Sequence, residues 1–265
     1  MTDSDNDPNG PQGWRDFRPR DVHLAFALLT RLPLPPIHFD PAEKRPAAHG
    51  AWAYPLVGLA VGGFVLAVAM LLGELGASAP VAAGLALVAG ALVTGAMHED
   101  GLADCADGFW GGWTVERRLE IMKDSQIGTY GVLALILVLG SRWALLAQLI
   151  SEGALAAAVL AAAVSSRAVM VWVMAALPAA RTDGLSRQTG QPPMPSVLAA
   201  LGIGVVVTAL TVGHALFLIA ALAGLTGFGL IRLARAKIGG QTGDVLGGTQ
   251  QVIEVVILIG VTLTL

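Results

Sequence analysis

The 265-residue chain has the composition of a membrane protein, since 55% of its residues are hydrophobic and only 13% are charged. A soluble domain usually carries about 25% charged residues. The net charge of −3 gives no electrostatic case for a nucleic-acid partner, and the single cysteine, Cys105, excludes an intrachain disulfide and a multi-cysteine zinc site.

The N-terminal part combines a polar tail with a short apolar segment. Residues 1–20 are acidic, then mixed, and show no apolar periodicity, so we expect a disordered tail before a single integral membrane domain over 21–265. The tail lacks the basic start and apolar core of a secretory signal. The next segment, VHLAFALLTRLPLPP, is too short to span a bilayer before Arg31 and the prolines, which predicts a re-entrant or interfacial helix.

Uncharged runs long enough to cross a bilayer recur through the rest of the chain. They predict an all-α polytopic transmembrane helix bundle with about seven spans. One apolar run, 196–231, is too long for a single span, and Gly213 and His214 near its middle indicate a turn. The predicted spans are 51–73, 79–97, 129–150, 154–177, 196–212, 215–232 and 246–265.

Basic residues outside these spans lie on one side of the predicted topology. The loops on that side carry nearly all of the Lys and Arg, whereas the opposite loops carry none. By the positive-inside rule, the N-terminus and the polar loops face the cytoplasm. These polar loops are 1–50, 98–128, 178–195 and 233–245.

The polar stretch His98–Gly128 holds seven of the nineteen acidic residues. Asp100, Asp104 and Asp107 are spaced i, i+4, i+7 and would fall within about 60° of one helical face. Three adjacent carboxylates repel one another, and a bound cation relieves that repulsion. Hard oxygen ligands suit Mg²⁺ with positions left open for phosphate oxygens, so the spacing predicts a magnesium site. The alternative is an acidic helix end that only marks the membrane boundary.

A short amphipathic helix should follow these carboxylates. Thr114 is a suitable N-cap, and Val115, Leu119 and Met122 would share one apolar face. We expect this helix to lie on the cytoplasmic surface of the membrane and to bring Lys123 back toward the acidic residues. There Lys123 either contacts a phosphate or reaches to the membrane interface.

Three charged residues fall inside predicted spans, where a charge is costly and a functional role is the default hypothesis. Arg142 and Glu254 could form a structural pair. Arg167 follows two serines, and we interpret it as an anion ligand. Glu99, outside the spans, points away from the aspartate face and is expected to be a surface charge.

A glycine-rich turn before the last span is a second candidate site. In RLARAKIGGQTGDVLGG (232–248), three basic residues precede Gly240, Thr242 and Gly243, and a helix containing Asp244 follows. Backbone N–H groups at a helix start favour anions, and glycines allow close approach. The alternative is a flexible turn with basic membrane anchors. A metal site and an anion site on one membrane face predict phosphoryl or nucleotidyl transfer.

Five segments of the chain have the character of family motifs. They are TRLPLP (30–35), DGLADCADG (100–108), LEIMKDSQIGTYG (119–131), VSSR (164–167) and GGQTGDVLG (239–247). With these segments the chain resembles the cobalamin synthase family, the adenosylcobinamide-GDP ribazoletransferases. The resemblance runs from about residue 22 to the end of the chain, in the order of the family's motifs.

The resemblance implies a Mg²⁺-dependent enzyme of the bacterial cytoplasmic (inner) membrane, multi-pass, with its active site facing the cytoplasm. It would join adenosylcobinamide-GDP to α-ribazole or its 5′-phosphate and release GMP. Carried onto this chain, it implies metal ligands Asp100, Asp104 and Asp107, catalytic roles for Asp104, Asp107 and Asp244, and substrate contacts from Arg31, Lys123, Arg167, Gly240, Thr242 and Gly243.

Two other functions compete with this one. A CDP-alcohol phosphotransferase motif would start like Asp104-x-x-Asp107-Gly108, but the following residues supply no Ala-Arg and the later paired aspartates are absent. A transporter would also use charges inside spans, but here the polar groups crowd one face of the membrane. The oligomeric state is not fixed by the sequence, and a homo-oligomer in the lipid bilayer is compatible with it.

Overall fold

The computed structural model describes residues 17–36, 45–182 and 184–265. Residues 1–16, which make up most of the expected disordered tail, lie outside the described residues. The described chain contains helices, turns and one isolated β-bridge, which confirms the all-α class. The α-helices are α1 Pro19–Leu29, α2 Tyr54–Glu74, α3 Ala79–Thr94, α4 Met97–Gly111, α5 Val115–Ile121, α6 Thr129–Ser151, α7 Leu155–Ala176, α8 Leu185–Thr189, α9 Met194–Val212, α10 Leu216–Ile238 and α11 Gly243–Thr262.

The predicted polytopic bundle is confirmed. Within the described residues, five helical stretches are long and apolar enough to cross a membrane, and a bent helix pair raises this number to six. The predicted count of seven is higher because one stretch, Met194–Ile238, is 45 residues long and contains both α9 and α10. The other four are Ala47–Glu74, Thr129–Ser151, Leu155–Ala176 and Gly243–Thr262.

The predicted turn between α9 and α10 reverses the chain. A 3₁₀ turn, Gly213–Ala215, joins the two helices. A Cβ at Gly204 would lie 3.1 Å from Ala168, and a Cβ at Gly227 would lie 3.0 Å from Val169. These contacts are at neighbouring α7 residues, whereas the two glycines would be about 34 Å apart along one straight helix. The chain therefore folds back at this turn, and both α9 and α10 pack on α7.

Helix α7 is the centre of the bundle. It is buried along nearly its whole length and packs against α2, α9 and α11. Small residues permit this packing, since a Cβ at Gly58 would collide with the Ala163 carbonyl oxygen. Close backbone approach of this kind is how helices associate within a membrane.

A sharp bend separates α3 from α4. The two helix axes differ by 90°, and both Gly95 and Ala96 have left-handed backbone conformations, with φ of 68° and 55°. The Arg31 backbone N–H donates to the Val93 carbonyl at 2.7 Å and thereby stabilises the bend. As a result, α4 packs across the starts of α6 and α11.

Helix α1 is the expected short apolar helix, with eleven residues. It is docked on the 3₁₀ helix Ala47–Ala53 through the buried Asp21, whose carboxylate accepts from Arg45 at 2.6 Å and from Trp52 Nε1 at 2.8 Å. Burial alone would raise the pKa of Asp21, but these hydrogen bonds and one from the Arg18 backbone outweigh burial and lower that pKa.

Candidate active site

Three carboxylates from two helices lie side by side where α4 crosses the start of α11. Asp100 and Asp104 belong to α4, and Asp244 lies in the first turn of α11. The helices approach closely because a glycine of each helix faces the backbone of the other helix. A Cβ at Gly101 would lie 2.8 Å from the Asp244 carbonyl oxygen, and one at Gly247 would lie 3.1 Å from His98 Cα.

Like charges surround Asp104. Its carboxylate is half-buried and is repelled by Asp100, Asp244 and Asp107. Removing a carboxylate from water is costly, and neighbouring negative charges add to that cost. Arg181 is the opposing positive charge that acts on Asp104. The cluster Asp100–Asp104–Asp244 is therefore suited to binding a cation.

Arg181 provides a positive charge at this cluster. Its Nη2 lies 3.4 Å from Asp244 Oδ2 and donates to the Leu119 carbonyl at 3.3 Å. Its buried Nε has no hydrogen-bond partner in the described part of the chain. Arg181 falls in the predicted loop 178–195, where it is one of several basic residues on the same side of the membrane. Its position on the same membrane face as Asp244 was the signal that could have singled it out.

Paired backbone hydrogen bonds hold the segment before Arg181 against the glycine-rich turn. The Ala180 N–H donates to the Gln241 carbonyl at 2.9 Å, and the Gln241 N–H donates to the Pro178 carbonyl at 2.8 Å. Gly240 lies under this segment, because a Cβ there would collide with the Pro178 carbonyl oxygen. The structure thus gives Gly240 a packing role, and its predicted contact with substrate remains a prediction.

Thr242 and Gly243 form the start of α11. Thr242 is buried, accepts from the Val245 N–H at 3.3 Å and donates to Asp244 Oδ2 at 3.1 Å. It therefore caps the helix and orients Asp244. Gly243 is exposed, and no atom lies within 4 Å of the position of a Cβ there. Of the three predicted turn residues, Gly243 is the one open to a ligand.

Asp107 faces a different part of the fold. Its Oδ2 accepts from the Gly128 N–H at 2.7 Å, and its Oδ1 accepts from the Gly131 N–H at 2.9 Å. It therefore binds the start of α6, where backbone N–H groups lack intrahelical partners. Its predicted metal and catalytic roles stay untested, but the geometry assigns Asp107 to positioning α4 on α6.

Arg31 and Lys123 are both exposed. The side chain of Arg31 covers Gly95 at the bend that precedes Asp100. Lys123 lies in the turn after α5, the helix that Thr114 caps as predicted. Their predicted contacts with substrate phosphates remain predictions.

A second polar cluster lies inside the bundle. Arg142 donates to Gln251 Oε1 at 2.7 Å and to Glu254 Oε1 at 2.8 Å, which confirms the predicted pair. Its Nη1 also lies 3.7 Å from Glu99 Oε1. The prediction that Glu99 is a surface charge was wrong. Its side chain is only 13% exposed and accepts from Gln251 Nε2 at 3.0 Å, because the bend turns the first residues of α4 into the bundle.

Arg167 belongs to this inner cluster rather than to the three carboxylates. It is 2% exposed and donates to the Ala163 carbonyl at 2.9 Å. The cavity that it lines has a volume of about 30 Å³, which is enough for water but not for a diphosphate. This geometry does not favour its predicted role as a ligand of substrate phosphates.

The donor set at the three carboxylates suits Mg²⁺ that is shared with substrate. Within the described residues, no group of three His, Cys, Asp or Glu side chains is arranged to hold a metal ion by itself. Mg²⁺ usually takes only one or two protein carboxylates and completes its shell with water and substrate phosphates. Asp100, Asp104 and Asp244 offer oxygen ligands of that kind, so the residues present fit this ion.

Comparison with known proteins covers nearly the whole chain. The family model for cobalamin-5-phosphate synthase matches residues 21–262. The chain is 45% identical over 245 residues to an adenosylcobinamide-GDP ribazoletransferase from Bradyrhizobium diazoefficiens, covering 90% of this chain and 92% of the relative. It is 43% identical over 255 residues to the protein of that name from Sinorhizobium sp, covering 92% and 96% of the two chains. No solved structure matches. The chain therefore belongs to the cobalamin-5-phosphate synthase family.

Proposed function

We propose that this protein is an adenosylcobinamide-GDP ribazoletransferase of the bacterial inner membrane. It joins adenosylcobinamide-GDP to α-ribazole or its 5′-phosphate and releases GMP. One observation beyond family membership supports this reaction. The motifs around Asp104 and Asp244 lie far apart in sequence, yet they meet at one cluster of carboxylates on two abutting helices.

In the reaction, a ribose hydroxyl oxygen of the acceptor forms a bond to the phosphorus attached to cobinamide. The bond from that phosphorus to the oxygen of GMP breaks, and the hydroxyl loses its proton. Such transfers depend mainly on positioning and on neutralising charge at the phosphate oxygens. Mg²⁺, when bound, supplies part of that neutralisation.

The residues of this chain divide that work. Asp100 and Asp104 would hold the metal ion, and Asp244 would orient the attacking hydroxyl. Thr242 and Arg181 fix the carboxylate of Asp244 through Oδ2. An arginine so close to the carboxylates is also placed to contact the diphosphate, for which a planar guanidinium is well suited.

We place this site at the cytoplasmic face of the membrane. Two basic segments, α5 and the end of α10, contact each other at that face. Arg118 on α5 donates to the Gly112 carbonyl at 2.9 Å and to the Lys237 carbonyl at 2.9 Å, and Lys237 lies 5.1 Å from the centre of the Trp110 ring. Concentration of Lys and Arg at one end of the bundle is typical of a cytoplasmic surface.

The test is an assay with purified protein in detergent, without a closed membrane. With adenosylcobinamide-GDP, α-ribazole and Mg²⁺ present, GMP and a cobalamin product should appear together. A transporter would produce no GMP under these conditions, and a CDP-alcohol phosphotransferase would instead release CMP from a CDP-alcohol. Absence of GMP from well-folded protein, with both substrates present, would overturn the proposed function.

A further inference from the structure

A large apolar cavity lies beside the candidate active site. It is formed by α1, the extended segment after α1, the 3₁₀ helix Ala47–Ala53 and the end of α8. Its volume of about 600 Å³ is within the range of about 300–1,000 Å³ that is usual for small-molecule sites. The side chains that line it are mostly aliphatic or proline, including Leu24, Leu28, Leu32, Leu34, Pro35 and Pro36.

The polar groups of this cavity differ in what they can offer a ligand. Asp21 lines the cavity, but its oxygens are bound by Arg45 and Trp52. Tyr54 is 5% exposed, and its hydroxyl makes no hydrogen bond within the described residues. The hydroxyl oxygen is not one of the fully buried polar atoms of the described residues that lack a partner, so it is accessible from the cavity. It can therefore form a hydrogen bond with a ligand there.

A smaller cavity adjoins the large one. It has a volume of about 70 Å³ and shares Leu28, Tyr54 and Thr189 with the large cavity. On its other side it is lined by His98 and Gly243. These two residues lie two positions before Asp100 and one position before Asp244, so the small cavity reaches the contact of α4 with α11.

We infer that the large cavity binds the aromatic base of the acceptor nucleoside, with the Tyr54 hydroxyl as its hydrogen-bond partner. The inference rests on the proposed function, which makes α-ribazole one of the two substrates. Its benzimidazole base is flat, bicyclic and apolar, as the lining requires. The corrinoid rim carries many amides, and guanine carries several donors and acceptors. Burying either against aliphatic side chains would leave polar groups without hydrogen-bond partners, which is unfavourable.

The experiment measures binding of α-ribazole alone, without turnover, to purified protein by titration calorimetry. Leu28→Trp fills the cavity and Tyr54→Phe removes only the hydroxyl. We expect Leu28→Trp to weaken α-ribazole binding by about tenfold or more, and Tyr54→Phe to weaken it by about fivefold to tenfold. Binding of adenosylcobinamide-GDP should stay unchanged in both. Leu92→Trp, at an exposed α3 position, is the matched control and should change neither affinity.

Three results would overturn the inference. They are unchanged α-ribazole binding in both variants, weakened binding of adenosylcobinamide-GDP in place of α-ribazole, and loss of a copurifying phospholipid with α-ribazole affinity intact. If Leu28→Trp fails to fold, Tyr54→Phe decides alone. Because the titration needs no reaction, wild-type protein that binds α-ribazole in this cavity but releases no GMP would contradict the proposed function and leave the cavity assignment standing.

Discussion

Both carboxylate oxygens of Asp107 accept backbone N–H groups from the start of α6, one from Gly128 and one from Gly131. A Cβ at Gly128 would lie 2.5 Å from Asp107 Oδ1, and a Cβ at Gly131 would collide with Oδ2. The two glycines of the motif IGTYG therefore admit this carboxylate. A negative charge at a helix N-terminus is stabilising, so Asp107 fastens α4 to α6.

Asp107→Asn should reduce stability while the protein still binds metal. An asparagine side chain can accept only one of the two N–H bonds, and the other donor would face an NH₂ group. We expect a loss of about 1–3 kcal/mol, read as a lower midpoint of thermal unfolding in detergent. Binding of Mn²⁺ as a probe for Mg²⁺ should stay within about twofold of wild type. A normal unfolding midpoint with Mn²⁺ binding lost would make Asp107 a metal ligand instead.

Asp104→Asn should have the opposite pattern. It removes the charge of Asp104, which Asp100, Asp244 and Asp107 repel, so the unfolding midpoint should stay equal or rise. Mn²⁺ affinity and turnover should fall together, each by at least about tenfold, since a metal ligand is lost. Near-normal turnover with an unchanged Mg²⁺ dependence would rule out the metal role of Asp104.

Arg181→Gln should separate metal binding from substrate binding. Without the guanidinium near Asp244, the carboxylates should bind Mn²⁺ more tightly in the absence of substrate. The KM for adenosylcobinamide-GDP should rise by about tenfold or more, because a charged hydrogen bond to phosphate is lost. Arg117→Gln is the matched control, since Arg117 pairs with Glu120 at a largely exposed position. An unchanged KM in Arg181→Gln would leave Arg181 as a purely structural contact of Asp244.

Gly101→Ala should damage both stability and activity. The added Cβ would lie 2.8 Å from the Asp244 carbonyl oxygen and 2.9 Å from its Cα, and backbone cannot move aside as a flexible side chain can. We expect a destabilisation of about 1–3 kcal/mol and a fall in turnover as α11 shifts away from α4. Gly140→Ala on α6, where no atom lies within 4 Å, is the control and should keep full activity. Equal behaviour of the two variants would contradict the close contact of α4 and α11.

Arg142→Met should be the most destabilising of these single changes. It leaves Glu254 and Glu99 buried without their counter-ion, and breaking a buried pair costs about 3–5 kcal/mol. The double variant Arg142→Met/Glu254→Leu should recover part of that loss, because Glu99 is then the one carboxylate of this cluster left without its counter-ion. Unfolding in detergent measures both, and a double variant less stable than Arg142→Met would contradict the pairing.

The helices and the residues near them in sequence were largely predictable. The apolar runs, the Thr114 cap and the turn at Gly213 are local signals, and each is present in the structure. The Arg142–Glu254 pair was also predictable, because charges inside spans need partners.

Contacts between distant segments were not predictable in this way. Glu99 contacts Gln251 and Arg142 only because the chain bends by 90° before α4. One of the two residues with left-handed backbone conformation in that bend is an alanine, Ala96, which sequence rules do not anticipate. Asp107 binds backbone groups more than twenty residues away, and backbone donors have no sequence signature. For the same reason the i, i+4, i+7 spacing did not separate Asp107 from Asp100 and Asp104.

Because of the right-angle bend, the surrounding lipid also influences the geometry of the candidate active site. Since α4 follows α3 directly after the bend and packs on α11, a change in the tilt of α3 or α11 would move Asp100 and Asp104 relative to Asp244. Helix tilt follows bilayer thickness, because apolar spans adjust to the hydrocarbon layer around them. Membrane thickness and acyl-chain length thereby join the side chains as determinants of how far apart the three carboxylates are held.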